Sequence, residues 1–341
     1  MKKTVLLTGI LLILSLSLFA QGTKEDRAEF LKNSKELTLY AYDSFTGDWG
    51  PGPSVIPAFE EATGIKVNVV TGGDAVEMLN KVIMEGDNSP ADVVLGITDD
   101  MADRAYDLFQ SYNSPMLKDI PDVLKFDSSN RLLPFDYGAF AFVYDSESGI
   151  EAPKSLMDLT KDEYKGKVIL IDPRTSSVGM GLLLWTYNEF GDDYLSWWEK
   201  MKDNALTIAS GWSSAYGLFT EGEAPIVLSY TTSPVYHVMS ENTTRYQAIV
   251  FEDGHEATIE GMGILKSAKN AENAKVFIDY ILSTAQAEIA TTNSMYPTNS
   301  TTVLPDAFAY APKPAKLYKS GTVGEEKTNE LLEAWTRLMA N

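Results

Sequence analysis

Short apolar runs alternate with amphipathic segments along most of the chain. The run Leu37-Thr38-Leu39-Tyr40-Ala41-Tyr42 predicts a buried strand. After a Gly/Pro-rich loop, residues 53–63 predict a helix with Ile56, Phe59 and Ala62 on one face. Residues 66–71 predict a second strand, 74–85 a helix opened by the capping pair Asp74 and Glu77, and 91–96 a third strand. The pattern resumes with strands at 140–144 and 166–172, helices at 178–190 and 193–202, and strands at 205–210, 226–230, 247–251 and 260–266. A helix over 271–282 turns Val276, Phe277, Tyr280 and Ile281 inward, and 325–339 predicts a closing helix. Apolar strands alternating with helices predict a parallel sheet covered on both faces. No internal repeat is visible.

These elements divide into two α/β lobes. Lobe 1 is expected over 36–133 and 261–312, lobe 2 over 134–260, and a C-terminal closing region over 313–341. The chain crosses between lobes near 134–138 and returns near 257–261. Two lobes joined by crossing strands place a ligand in the interlobe cleft, where hinge closure buries it.

Lys2 and Lys3, an apolar stretch from Val5 to Ala20 and the small residues near its end predict a secretory signal peptide over 1–20, cleaved after Ala20. That run is shorter than the ~20 apolar residues of a spanning helix. Residues 21–35 form a polar segment. The chain has no cysteine, which excludes disulfides, thiolate metal sites and acylation at a cysteine. The expected location is the periplasm, with stability supplied by the core alone. A length of 341 residues at 44% hydrophobic suits two domains. The formal net charge of −20 disfavours nucleic acid and anionic membranes as partners. It suits a cationic ligand, although solubility explains it equally well.

Six stretches, in order, carry a specific resemblance. They are Tyr42-Asp43-Ser44-Phe45 with Asp48-Trp49-Gly50-Pro51-Gly52-Pro53; Ala91-Asp92-Val93-Val94-Leu95-Gly96; Pro134-Phe135-Asp136-Tyr137-Gly138; Asp172-Pro173-Arg174-Thr175-Ser176-Ser177; Gly211-Trp212-Ser213-Ser214-Ala215-Tyr216-Gly217-Leu218-Phe219; and Leu228-Ser229-Tyr230-Thr231-Thr232-Ser233-Pro234 with Tyr236-His237. With Met295-Tyr296-Pro297 at the end, they span roughly residues 36–300 and resemble the thiamine-binding periplasmic proteins. The resemblance implies a two-lobed, type II, ferric-binding-protein-like solute-binding fold. It implies capture of thiamine, thiamine monophosphate or thiamine diphosphate for an ABC permease in the inner membrane, with no cofactor and no catalysis. Carried over residue by residue, it implies ligand contacts at Asp74, Ala75, Ser176, Ser177, Trp212, Tyr230, Thr231, Thr232 and Ser233, with Tyr42 and Tyr236 as cleft aromatics. The family has Asp-Gly where this chain has Asp74-Ala75, so a backbone contact there requires a negative φ at Ala75.

The residues support such a ligand independently. Thiamine joins a flat aminopyrimidine to a permanently cationic thiazolium, and aromatic faces attract a ring cation by about 0.5–2 kcal/mol each. Trp212, Tyr230 and Tyr236 are read as site residues, and Tyr216 as core. Residues 172–177 end a strand and open a helix, which makes an anion cradle for a phosphate as well as an ordinary N-cap. Ser229 to Ser233 repeat that arrangement. Asp43, Asp48 and Asp136 are candidates to balance the ring charge, each equally explained as a turn or hinge residue. Trp49, in its loop, is read as a cover of the cleft. The two histidines, His237 and His255, show no metal-ligand spacing, and His237 is read as a helix-face residue. A thiaminase-like enzyme needs a cysteine nucleophile, which is lacking. Binding of a polyamine, ferric ion or phosphonate on the same fold remains the alternative.

Overall fold

The computed structural model describes residues 35–340. The expected signal peptide and nearly all of the polar segment lie outside the described residues. The strands are β1 (Glu36–Ala41), β2 (Lys66–Thr71), β3 (Val93–Thr98), β4 (Phe109–Gln110), β5 (Leu133–Asp145) and β6 (Val168–Ile171). They continue with β7 (Ala205–Ala209), β8 (Ile226–Tyr230), β9 (Tyr246–Ala248), β10 (His255–Leu265), β11 (Tyr296–Pro297) and β12 (Leu317–Lys319). The main helices are α1 (Gly52–Thr63), α2 (Ala75–Glu85), α3 (Ser177–Phe190), α4 (Tyr194–Asn204), α5 (Trp212–Thr220), α6 (Ala271–Ile281), α7 (Gln286–Thr292) and α8 (Glu325–Ala340). None among the described residues is long and apolar enough to cross a membrane.

The strands join in the order β2-β1-β3-β10-β5-β8-β6-β7. β1 pairs in parallel with β2 and β3, and β6 with β7 and β8. The expectation of an all-parallel sheet is corrected: β10 runs antiparallel to β3 and β5, and β5 antiparallel to β8. The reason lies in the two long strands. β5 spans 13 residues and pairs β10 through its first half and β8 through its second, so it belongs to both lobes. The short strand read at 140–144 is only the end of it, because Pro134, Asp136 and Gly138 interrupt the apolar pattern. Likewise β10 starts five residues before the predicted 260–266, since polar His255, Glu256 and Thr258 mask its first part.

Alternation along β1 explains how its lobe is layered. Leu37, Leu39 and Ala41 join one apolar cluster with Phe59 and Phe277, while Tyr40 joins another on the opposite face with Leu79 and Val94. In α1 the inward residues are Val55 and Phe59; Ala62 is exposed, correcting the predicted face. α5 and α7 were not predicted, being only 9 and 7 residues long.

The C-terminal α8 packs into the second lobe's core rather than forming a region apart. Leu331 and Trp335 are buried there, and Trp335 meets the Trp198 ring edge to face at 5.6 Å. Trp335→Ala is expected to lower unfolding free energy by about 3–5 kcal/mol, the cost of vacating a buried aromatic site. Denaturant titration checks this, and a loss below about 1 kcal/mol would show that α8 is dispensable.

Candidate functional site

A cavity of about 1100 Å³ including its open mouth lies between the lobes. One wall comes from the N-terminal half of α5. Trp212 stacks on Tyr216 with centroids 4.8 Å apart and planes 19° apart. Trp49, from the loop before α1, tilts against Trp212 at 5.2 Å and is 40% exposed, so it covers the wall from the other lobe. Tyr42, Tyr230 and Tyr236 complete the aromatic lining. Glycine makes room for one of them: Gly96 has φ +107°, and a Cβ there would sit 2.1 Å from the Tyr42 ring.

A hydrogen-bond chain runs behind this wall. Trp212 Nε1–H donates to Ser229 Oγ at 2.8 Å, which meets Ser233 Oγ at 2.7 Å. Ser233 Oγ also accepts from Tyr230 N at 3.2 Å. His237 is fully buried, and burial lowers its pKa, so the ring is neutral at pH 7. With Nδ1–H donating to Glu241 Oε2 at 2.7 Å, Nε2 accepts from Tyr216 at 2.8 Å. Thus Tyr216, read as core, is both core and wall, and His237 is a buried link rather than a helix-face residue. It opens a π-helical turn, His237–Glu241, whose last residue reaches the cavity. His255 is a structural histidine, with Nδ1 donating to Phe140 O and Nε2 accepting from Phe251 N, both at 2.7 Å.

Asp74 occupies the junction between the lobes. It is the N-cap of α2, with Oδ1 accepting from Ala75 N at 2.6 Å. The same carboxyl accepts from Ser177 N at 3.3 Å and Trp212 N at 3.0 Å, the first amides of α3 and α5. Three helix N-termini therefore converge on one carboxylate, which the partial positive charge of those ends favours. Gly211 permits the approach, since a Cβ there would lie 3.1 Å from Asp74 Oδ2. Burial nevertheless raises the Asp74 pKa to about 6. Asp43 adds a second tie across the cleft, accepting from Ser213 Oγ at 3.0 Å.

The structure thus brings Tyr42, Asp74, Ala75, Ser177, Trp212, Tyr230, Ser233 and Tyr236 to one cavity. Ser176, Thr231 and Thr232 lie outside its lining, fully or nearly fully buried. Ser176 Oγ caps α3 by accepting from Val178 N at 3.2 Å, and Thr231 N donates to Ala139 O at 2.9 Å. At the helix start expected to cradle an anion, 172–177, the Asp74 carboxylate accepts from Ser177 N. Ala75 sits in the first helical turn and is not among the positive-φ residues, so the methyl group is tolerated.

Glu260, Glu241 and Asn293 line the cavity without having been singled out, and Met295, named only for the resemblance, joins them. Their signal was faint: Glu260 leads an apolar strand, and only its pairing with β5 reveals the site. Tyr42 O–H donates to Glu260 Oε2 at 2.8 Å, and Asn293 Nδ2–H donates to Asp136 Oδ2 at 2.8 Å. Asp136 is fully buried, which places it under the cleft floor rather than in a turn. Burial lifts Glu260 to about 7 and, with Glu260 opposite, Asp136 well above the carboxylate range.

Comparison with known proteins is decisive at the level of family. A model of the bacterial extracellular solute-binding proteins matches residues 54–316. The chain belongs to that family. It is 42% identical over 280 residues to the thiamine-binding periplasmic protein of Escherichia coli (strain K12), covering 82% of this chain and 85% of that one. It is 40% identical over 313 residues to the protein of the same name from Brucella melitensis, covering 90% and 92%. A solved structure of a periplasmic thiamin binding protein superposes with a TM-score of 0.83 at 38% identity, over 90% of this chain and 96% of that one. The fold is accordingly the two-lobed, ferric-binding-protein-like α/β architecture.

Buried carboxyls dominate the titration of this solute-binding protein. Besides Asp74 and Glu260, burial lifts Asp100 to about 7 and Glu256 to about 8. An acid whose pKa is raised by folding holds a proton that the unfolded chain releases, so stability falls as pH rises between the two values. Asp127 and Asp145 have lowered values and lose stabilisation only in stronger acid. The protein is expected to melt at a higher temperature at about pH 5.5 than at about pH 8.5. Calorimetric scans at both values check this, and the reverse order would contradict it.

Proposed function

We propose that this protein captures thiamine outside the cytoplasm, in the periplasm, and delivers it to an ABC importer without catalysing a reaction. The observation that carries the reading is the stacked pair Trp212–Tyr216, extended by Trp49 and facing acidic groups across the cavity. Flat π faces and carboxyls in one partly closed space suit two linked rings of which one is a permanent cation. Relatives 40–42% identical over most of their length carry the name thiamine-binding periplasmic protein. Solved structures described as ferric-binding or as a spermidine/putrescine transporter are only 20–22% identical, and that likeness supports the fold alone.

In this reading the rings enter between Trp49 and the Tyr42–Tyr230 side, along the wall that Trp212 forms. Closure is held by Asp74 and Asp43, whose bonds to the opposite lobe form only when the lobes meet. Thiamine monophosphate and diphosphate use the same cavity, with their phosphate directed to the starts of α3 and α5. There it competes with the Asp74 carboxylate for the same amides, so phosphate binding displaces or protonates Asp74.

Calorimetric titration of protein stripped of ligand by partial unfolding is expected to give a Kd at or below the micromolar range, about −8 kcal/mol or tighter. Trp212→Ala is expected to weaken thiamine binding at least about tenfold, and Trp212→Phe much less, because a smaller π face remains. No heat from thiamine or either phosphate with refolded protein would end the thiamine reading.

A further inference from the structure

The cleft floor contains a charge arrangement that the aromatic wall does not explain. In the antiparallel pairing of β5 with β10, Asp136 stands directly opposite Glu260. Directly opposed side chains share a face of the sheet, and two ionised acids there repel each other. Glu260 lines the cavity beside Tyr42 and Tyr230. Asp136 Oδ1 is buried with no hydrogen-bond partner, although its other oxygen is held by Asn293. A β-bulge between Glu260 and Gly261 shifts the register at this point, as bulges beside functional sites commonly do.

The groups facing the pair are almost all neutral or acidic. Tyr42 donates to Glu260, and Asn293 donates to both Asp136 and the Tyr42 hydroxyl. Asp74 adds negative charge at Glu260, and Tyr230 feels both members of the pair as well as Asp74 and Asp100. Asp99 approaches from the neighbouring turn, accepting from Ile259 N at 3.2 Å. Among the described residues neither carboxyl of the pair makes an ion pair. The floor therefore lacks a positive charge, while the cavity above it is lined with π faces.

We propose that Asp136 and Glu260 together form the counter-ion subsite for the cationic ring of the ligand, and that they share a proton which leaves for solvent when that cation binds. The inference rests on the thiamine reading and deepens it. The balance is simple. The free pair retains at least one proton because two adjacent buried carboxylates do not both ionise. An incoming permanent cation stabilises the second negative charge, the O–H bond of the retained proton breaks, and buffer takes the proton. A neutral or anionic ligand gains nothing from this exchange, so the subsite selects for a cation.

The test is titration of the whole, ligand-stripped protein with thiamine at about pH 7.5 in two buffers of different ionisation enthalpy, repeated from about pH 6.5 to 8.5. The expected result is release of a substantial fraction of a proton, on the order of 0.3–1, with affinity rising as pH rises by up to about tenfold per unit. Asp74 titrates near 6 and contributes little in this range. Glu260→Gln and, separately, Asp136→Asn are expected to bind at least about tenfold more weakly and to lose the proton release. Tight thiamine binding by the unaltered protein with no proton released and no pH dependence overturns the subsite while leaving the thiamine reading intact. Absence of thiamine binding overturns both. The proton count on the unaltered protein decides the matter even if a variant fails to fold.

Discussion

The antiparallel pairing of β5 with β10 is the constraint on which the rest of the molecule depends. It runs from Ala257 opposite Ala139 to Met262 opposite Leu133. β3 and its parallel partners attach beyond β10, and β8, β6 and β7 attach beyond β5. Two strands thus hold two independent cores, and the cleft opens where they cross. Backbone hydrogen bonds supply the connection, so the lobes are joined by a ladder rather than by a large apolar interface. Such a joint resists slippage, because a one-residue shift would exchange the faces on which Asp136 and Phe135 lie. It still leaves bending about the crossing as the soft motion.

Charge is distributed against the usual preference for solvated carboxylates. Asp74, Asp136, Glu256 and Glu260 are all buried, in a chain already strongly acidic. Burying an ionised acid is costly unless hydrogen bonds or opposite charge compensate. At Asp74 three helix starts provide that compensation, and the bond set spans the cleft. At Asp136 and Glu260 the compensation is incomplete, and burial keeps the pair largely protonated. The same locus therefore couples lobe closure, ligand charge and proton content.

The aromatic wall follows a different rule. Trp212 and Tyr216 lie one helical turn apart on α5, so their rings stack from the same face. Their polar atoms are tied to Ser229 and His237, which are themselves held by Ser233 and Glu241. A ring held by its polar edge keeps a fixed orientation in the stack, here Tyr216 against Trp212 and Trp49 over Trp212. Short helices serve this purpose well: α5 positions the wall without presenting a long amphipathic surface of its own.

Much of this was legible in the linear pattern. β1, β2, β8, α2, α3 and α8 were readable within about two residues, because local periodicity and capping decide them. Trp212 stood out after its strand end and Gly211, whereas Tyr216 read as core and only the stack shows its part in the wall. Strand direction was not legible, nor was the full length of β5 and β10, whose polar residues face a cleft rather than solvent. Glu260 and Asp136 lie 124 positions apart, and nothing local marks them as neighbours. Thr231 and Thr232 looked equivalent to Tyr230 and Ser233, yet the turn directs them into the interior. The sequence by itself determined the elements, the acidity and the aromatic inventory, because these depend on neighbours a few residues away. Only the tertiary structure decided which carboxyls meet, and that Asp74 fills the helix starts, because long-range strand pairing and lobe closure place them.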